Sequence, residues 1–170
     1  CQGVIDELLD RPVPEPDALT YDPNAFTSED GKYKIVGTRT DDFKYDRAKS
    51  NAEDTIAGFS DIGCMVGLFA YNTPACLAAV CEANKVGAIK LVSFDEDNAT
   101  LEGIASGEVH GTISQQPYLY GYESVRVLAA LARGDESVIP ESKFIEVDYV
   151  IVKQDNVEEF SAKLAELKGE

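Results

Sequence analysis

The chain has 170 residues, 44% of them hydrophobic, and carries 31 acidic against 15 basic residues for a net charge of −16. This length and apolar content support one sizeable core, so we expect a single domain or lobe. The acidic balance argues against nucleic acid or an anionic membrane surface as partner, because phosphate binding needs clusters of Lys and Arg. No apolar run approaches the roughly 18 residues that span a bilayer.

The first segments are a short amphipathic helix and a long polar loop. A helix over residues 1–10 is predicted by four apolar residues at helical spacing: Val4, Ile5, Leu8 and Leu9. No capping residue precedes this helix, and we expect that Cys1 lies within a longer protein. Residues 11–32 contain four prolines and several acidic residues, which predicts a surface loop insertion or hairpin.

From residue 33 onward, apolar segments that suit strands alternate with segments of helical periodicity. The predicted strands are 33–38, 64–70, 88–94, 109–115 and 144–152. The predicted helices are 46–59, 74–84, 98–106, 118–133 and 156–168. Continuous apolar runs suit strands covered on both faces. The pattern therefore predicts an α/β fold with a doubly wound, mainly parallel sheet flanked by helices.

Polar side chains follow three of these strands, where each strand ends and a helix begins. Asn72 comes after strand 64–70, Asp95 follows strand 88–94, and Gln115 stands at the end of strand 109–115. In open parallel sheets, ligands bind outside the carboxyl ends of the strands. None of the three is a good nucleophile there, and all three hydrogen-bond hydroxyl groups well. The sequence therefore predicts a binding site at this edge of the sheet.

Three aromatic residues near strand ends are candidates to stack against a sugar ring: Phe43, Tyr45 and Tyr71. Core packing is the alternative for each of them. The two interpretations are evenly balanced for Tyr45 and Tyr71, whereas core packing is favoured for Phe43.

The sequence offers little for catalysis. Asp95, Glu96 and Asp97 are consecutive, but adjacent residues of an extended segment point in opposite directions, and Asp97 suits a helix N-cap. His110, the only histidine, lies near the start of a strand, away from the strand ends, where we expect a surface position. No nucleotide-binding, nucleophile-elbow or zinc-protease motif and no metal-ligand spacing occurs. We therefore expect no enzyme activity, no metal and no cofactor.

Four segments together carry a resemblance to a known family. They are GTRTDDFKYDRAKSNAEDTI (37–56), VGLFAYNTPACLAAV (66–80), IKLVSFDEDNATLEGIASGEVHGTISQQPYLYGYESVRVLAALARG (89–134) and VDYVIV (147–152). The chain resembles the C-terminal half of the periplasmic sugar-binding proteins of ABC importers, of the ribose-binding type, with the type I periplasmic binding fold. QGVIDELL at 2–9 is similar to the helix after the first strand of that family's second lobe.

The resemblance implies two α/β lobes joined by hinge segments, with a monosaccharide held between them. Residues 1–170 would form the C-terminal lobe, with 144–170 as hinge strand and terminal helix. The resemblance further implies that Asn72, Asp95 and Gln115 hydrogen-bond the sugar, and it places Tyr45 at an aromatic position of the family. It implies a membrane permease as partner and a periplasmic location. The resemblance also implies an N-terminal lobe, outside these 170 residues, that supplies further sugar contacts.

Two other function classes stay open. The same fold serves as effector-binding domain in transcription regulators of the lactose-repressor type, and a helix-turn-helix segment upstream would reveal that class. An enzyme on a similar sheet is the third interpretation, disfavoured because no nucleophile and base are found.

A half-site built to meet a second lobe leaves apolar surface open, including Tyr45, Tyr71 and residues 115–117 and 148–152. We expect another copy of the chain to cover this surface, as a homo-oligomer.

Overall fold

The computed structural model describes residues 2–12 and 26–169. The helices of this part of the chain are α1 (Gln2–Leu8), α2 (Tyr45–Gly58), α3 (Asn72–Glu82), α4 (Asn98–Ser106), α5 (Pro117–Ala132) and α6 (Val157–Lys168). The strands are β1 (Phe26–Thr27), β2 (Lys34–Ile35), β3 (Cys64–Val66), β4 (Lys90–Phe94), β5 (Gly111–Ser114) and β6 (Val150–Val152). No helix among these is long and apolar enough to cross a membrane.

Four strands form the main sheet, in the order β3-β4-β5-β6. β3 pairs with β4 and β4 with β5 in parallel, whereas β6 runs antiparallel to β5. Helices separate the parallel strands, as a crossover connection requires. The predicted fold class is confirmed: the sheet is mainly parallel and is flanked by helices.

The core lies between the sheet and the helices that follow its strands. Its buried members are Val80, Ile89, Leu91, Leu101, Ile104, Val109, Val152 and Val157. These residues come from alternate positions of the strands and from one stripe of each helix, as burial of one face demands. α4 begins and ends where the sequence predicts, with the Asp97 side chain accepting from Ala99 N–H at 2.9 Å and Gly107 in the left-handed region at φ 83°.

The prediction of a sheet strand over 33–38 is wrong in extent and place. Only β2 is extended there, and it pairs antiparallel with β1 outside the main sheet. The reason is local: Ser28 N–H donates to the Tyr33 carbonyl at 2.8 Å, and Tyr33 N–H donates to Ser28 Oγ at 2.9 Å. These bonds close a hairpin over 26–35, which includes the last residues of the predicted loop 11–32. Residues 13–25 of that loop lie outside the described residues.

The strand predicted over 64–70 ends early, at Val66. Gly67 N–H still reaches the Val92 carbonyl at 2.9 Å, but the next two N–H groups, of Leu68 and Phe69, both donate to the Asn72 side-chain oxygen. A side chain that binds backbone donors offers the chain an alternative to the ladder. The turn over 67–71 therefore replaces the end of the predicted strand.

The apolar stripe predicted for α5 is not buried, and this prediction is also wrong. Of α5, only Ala130 is buried, while Tyr118, Tyr122 and Val125 are exposed. The strand predicted over 144–152 is limited to β6. In the segment before β6, the side chains of Phe144 and Tyr149 are also exposed. The apolar residues of α5 do not pack against the sheet. The helical residues of the core come from α3, α4 and α6 instead.

The turn after β3 provides the first test. A Cβ at Gly67 would lie 2.5 Å from Thr73 Oγ1 and 2.9 Å from Thr73 N, whereas a Cβ at Gly63 meets nothing within 4 Å. We therefore expect Gly67→Ala to lower the free energy of unfolding by about 1–3 kcal/mol, because the backbone of α3 must shift. Gly63→Ala is the matched control, expected within about 0.5 kcal/mol of the wild type. Equal effects in urea denaturation would show that the close approach at Gly67 is not a constraint.

Candidate functional site

The candidate site lies at the carboxyl edge of the parallel strands. Because β3, β4 and β5 run parallel, their carboxyl ends share one edge of the sheet. Asp95 follows β4 directly, and Gln115 follows β5 directly. Asn72 is the first residue of α3, five residues beyond the turn glycine Gly67 that follows β3. The three predicted residues thus stand at strand-to-helix junctions of neighbouring strands.

Asp95 and Gln115 are brought together. Gln115 Nε2 donates to Asp95 Oδ1 at 2.9 Å. The backbone of Asp95 is fixed from the neighbouring strand, because its N–H donates to the Ile113 carbonyl at 2.8 Å and its carbonyl accepts from Thr112 Oγ1 at 2.6 Å. Asp95 has φ 63°, a left-handed conformation that Asp tolerates better than most residues.

Asn72 is bound to a second group of residues, centred on the Asp41 carboxylate. Asn72 Nδ2 donates to Asp41 Oδ2 at 2.7 Å, and the Tyr71 hydroxyl donates to Asp41 Oδ1 at 2.6 Å. The Phe43 N–H also donates to Asp41 Oδ1, at 2.9 Å. One carboxylate therefore ties the turn over 41–43 to the start of α3. We call Asp41, Tyr71 and Asn72 the Asp41 triad.

The hydrogen bonds of the triad shift two pKa values. Burial by itself raises the pKa of Asp41, but the bonds from Tyr71, from the Phe43 N–H and from Asn72 together hold that pKa below its usual value. Burial raises the pKa of the Tyr71 phenol, and the hydrogen bond to Asp41 and its negative charge raise it further. Asp41 is therefore ionised and Tyr71 protonated at neutral pH, which is the state in which three donors meet one acceptor group.

Aromatic rings lie beside the triad. The rings of Phe43 and Phe69 have centroids 5.7 Å apart with a tilt of 59°, and Phe69 and Tyr71 are stacked at 6.2 Å with 9° between their planes. Phe43 is 78% exposed and Phe69 is 49% exposed, so the core interpretation of Phe43 is wrong. Tyr45 is in none of the ring contacts of the described residues; its hydroxyl donates to the Pro74 carbonyl at 3.4 Å, against α3.

Two participants were missed by reasoning from the sequence, Asp41 and Phe69. Asp41 lies in a polar run, TRTDDFKYD, in which nothing singles out one carboxylate. Phe69 falls within the strand predicted over 64–70, whereas the turn after Gly67 exposes it. Glu96, which the sequence offers as a candidate only for catalysis, accepts from the buried Ser114 hydroxyl at 2.7 Å.

The side chains at this edge of the sheet combine hydrogen-bonding groups with exposed aromatic rings. Asp95 supplies an acceptor, Gln115 a donor and an acceptor, and the exposed rings an apolar surface. Within residues 2–12 and 26–169, no cluster of His, Cys, Asp and Glu could hold a metal ion. His110 is exposed, as predicted. A groove of about 300 Å³ between α4 and α6 is lined by side chains of those helices rather than by residues that follow the strands.

Comparison with known families identifies the fold family. A family model described as the periplasmic binding protein domain matches residues 17–136. The chain belongs to this family. Comparison with curated proteins gives no match.

Solved periplasmic binding proteins share the fold. An ABC transporter solute-binding protein from Agrobacterium vitis with bound D-fucose is 25% identical, with a TM-score of 0.66 over 76% of this chain and 43% of that chain. The arabinose-binding protein AraP from Geobacillus stearothermophilus is 25% identical, with a TM-score of 0.59 over 69% of this chain and 42% of that chain. A periplasmic solute-binding protein from Actinobacillus succinogenes with bound D-allose is 18% identical, with a TM-score of 0.67 over 74% and 43%. The chain spans about two fifths of the length of these proteins.

An exchange of partners tests the bond between Asp41 and Asn72. Asn72→Asp sets two carboxylates face to face, so we expect the free energy of unfolding at pH 7 to fall by about 1–3 kcal/mol, although a carboxylate at a helix N-terminus is otherwise favourable. Adding Asp41→Asn to this variant restores a donor facing an acceptor, so we expect the double variant to recover most of the lost free energy of unfolding. Additive losses of the two substitutions, measured by urea denaturation, would mean that the two side chains do not interact.

Proposed function

We propose that this chain is the sugar-contacting C-terminal lobe of the substrate-binding component of a carbohydrate ABC transporter. The whole protein binds a monosaccharide between two lobes and delivers it to a membrane permease, in the periplasm or elsewhere outside the cytoplasm. The observation that carries the proposal is the Asp95–Gln115 pair at the carboxyl edge of the parallel sheet. Membership of a solute-binding family supports a binding role rather than an enzymatic one.

The chemistry of the pair suits sugar hydroxyls. An ionised carboxylate only accepts, and it forms charge-assisted hydrogen bonds that are stronger than neutral ones. Gln115 gives one N–H to Asp95 and keeps its side-chain oxygen and a second N–H for a ligand. A sugar hydroxyl both donates and accepts, so these neighbouring groups can satisfy adjacent hydroxyls. The exposed rings of Phe43 and Phe69 provide an apolar surface for the C–H face of a sugar.

The site on this chain is open, which is the basis for the two-lobe part of the proposal. Gln115 and Phe43 are exposed, and Asp95 is only half-buried. Small-molecule sites usually bury most of the ligand surface, so a second lobe is needed to cover a bound monosaccharide. Two structural neighbours contain bound D-fucose and D-allose, and a third is an arabinose-binding protein. These neighbours support a monosaccharide as the ligand.

The two-lobe proposal predicts weak binding by this chain alone. It has contacts on one side of the sugar and no lobe to close, so we expect dissociation constants in the millimolar range or no detectable binding. Isothermal calorimetry with D-ribose, arabinose, D-galactose, D-fucose and D-allose measures this directly. Micromolar binding by the 170-residue chain would show that the site is complete without a second lobe.

Asp95 should dominate the contribution of this lobe. Hydrogen bonds to a charged group are worth roughly 1.5–3 kcal/mol each, so Asp95→Ala in the two-lobe protein is expected to weaken sugar binding by about one to two orders of magnitude. Asp95→Asn removes the charge while keeping a residue that tolerates the positive φ, and should weaken binding in the same direction. Asp97→Asn is the matched control, since Asn also caps a helix. Unchanged affinity in both Asp95 variants would remove this residue from the site.

A further inference from the structure

The hydrogen bonds of Asn72 use up most of its side chain. Its Oδ1 accepts from Leu68 N–H at 3.2 Å and from Phe69 N–H at 3.0 Å, and its Nδ2 donates one hydrogen to Asp41 at 2.7 Å. A side-chain amide has two acceptor sites and two donor hydrogens. One N–H is therefore the only group that Asn72 has left for a ligand.

The orientation of this amide is fixed by charge on one side and by backbone donors on the other. Turning the amide over would set its oxygen against the Asp41 carboxylate and its NH₂ group against two N–H donors, which costs hydrogen bonds at both ends. Asp41 itself is held in place by the Tyr71 hydroxyl and by the Phe43 N–H. The carboxylate thus has three donors and one defined position.

We infer that Asp41 is a positioning residue that sets Asn72 as a hydrogen-bond donor, so that the site binds an acceptor oxygen of the ligand at this point. The inference rests on the proposed function. It gives the two sides of the site opposite polarity, because Asp95 can only accept, whereas Asn72 can only donate. A sugar is then selected by hydroxyls that donate toward Asp95 and accept from Asn72.

The Asp41→Asn variant tests the positioning without any ligand. The new amide turns either its oxygen or its NH₂ group toward Asn72, and the oxygen is also needed by Tyr71 and Phe43. We expect Asn72 to be released in part, and the Leu68 and Phe69 amides, which it caps, to exchange with solvent about tenfold faster or more. Asp42→Asn is the matched control: the neighbouring carboxylate is exposed and pairs with Arg47 outside the triad.

Amide exchange followed by NMR gives the result. Faster exchange in Asp41→Asn and unchanged exchange in Asp42→Asn supports the role of Asp41. Equal exchange at Leu68 and Phe69 in the wild type and in Asp41→Asn overturns it. The pKa of the Tyr71 phenol, read from its ring-carbon shift, is a second measurement, since removing the charge at position 41 should lower that pKa and removing it at position 42 should not.

The double variant Asp41→Asn with Asn72→Asp separates polarity from folding. Position 72 can still accept from Leu68 and Phe69 and now accepts from position 41, so the protection of both amides should return. Toward the ligand, however, it presents a lone pair in place of an N–H. NMR titration of the two-lobe protein with D-fucose, arabinose and D-allose should therefore show at least about tenfold weaker binding by the double variant than by the wild type, although the turn is restored.

The outcomes keep the two proposals apart. Restored amide protection with undiminished sugar binding would overturn the assignment of Asn72 as a donor. If the wild type binds none of the sugars even as part of the two-lobe protein, the proposed function fails, while the amide exchange of Leu68 and Phe69 still decides whether Asp41 positions Asn72. If exchange is unchanged but sugars bind, only the inference about Asp41 fails.

Discussion

The parallel pairing of β3, β4 and β5 is the constraint on which the site depends. Parallel strands must be joined by crossovers, and here a helix follows each of the three. These three strands therefore end at the same edge of the sheet, and the helices that follow them begin there. The residues at these junctions are brought close by topology alone. Asp95 and Gln115, twenty positions apart in sequence, are hydrogen-bonded because β4 and β5 are neighbours in register.

The junctions are shaped further by side chains that bind backbone groups. Asn72 binds two backbone N–H groups of the turn after β3, and Asp41 binds Asn72, Tyr71 and the turn over 41–43. Asp42, Phe43 and Asp95, which lie in the segments that hold the site, all have positive φ, an unfavourable backbone conformation for residues other than glycine. Hydrogen bonds stabilise these conformations, which places an exposed Phe43 ring and the Asp95 carboxylate at the edge of the sheet.

Sequence periodicity predicted the α/β class and the bounds of α2, α4 and α6 within one or two residues, because their apolar stripes and caps are local signals. It also predicted the positions of Asp95 and Gln115 directly after strands, since each follows an apolar run. It failed where a side chain competes with the ladder, as at Asn72, and where a hairpin forms, as at Ser28 and Tyr33. Asp41 could not be found from the sequence, because its role comes from contacts thirty residues away.

The α5 surface shows another limit of periodicity. A helical stripe of apolar residues predicts that a face will be covered but does not say by what, and α5 leaves Tyr118, Tyr122 and Val125 exposed. A second copy of the chain over the surface that includes Tyr45, Tyr71 and residues 115–117 and 148–152 stays a prediction. The sugar-site account does not depend on it, because that account is argued from contacts within one chain, namely the Asp95–Gln115 bond and the bonds of the Asp41 triad.

Mapping of NMR shifts during titration of the two-lobe protein with D-fucose tests the central claim most directly, namely that the carboxyl edge of the parallel strands binds a monosaccharide. The account predicts that the shifts that change with added sugar belong to the Asp41 triad, to Asp95 and to Gln115, with the side-chain signal of Asn72 among them. Changes confined to the groove between α4 and α6, lined by Leu101, Val157 and their neighbours, would contradict it.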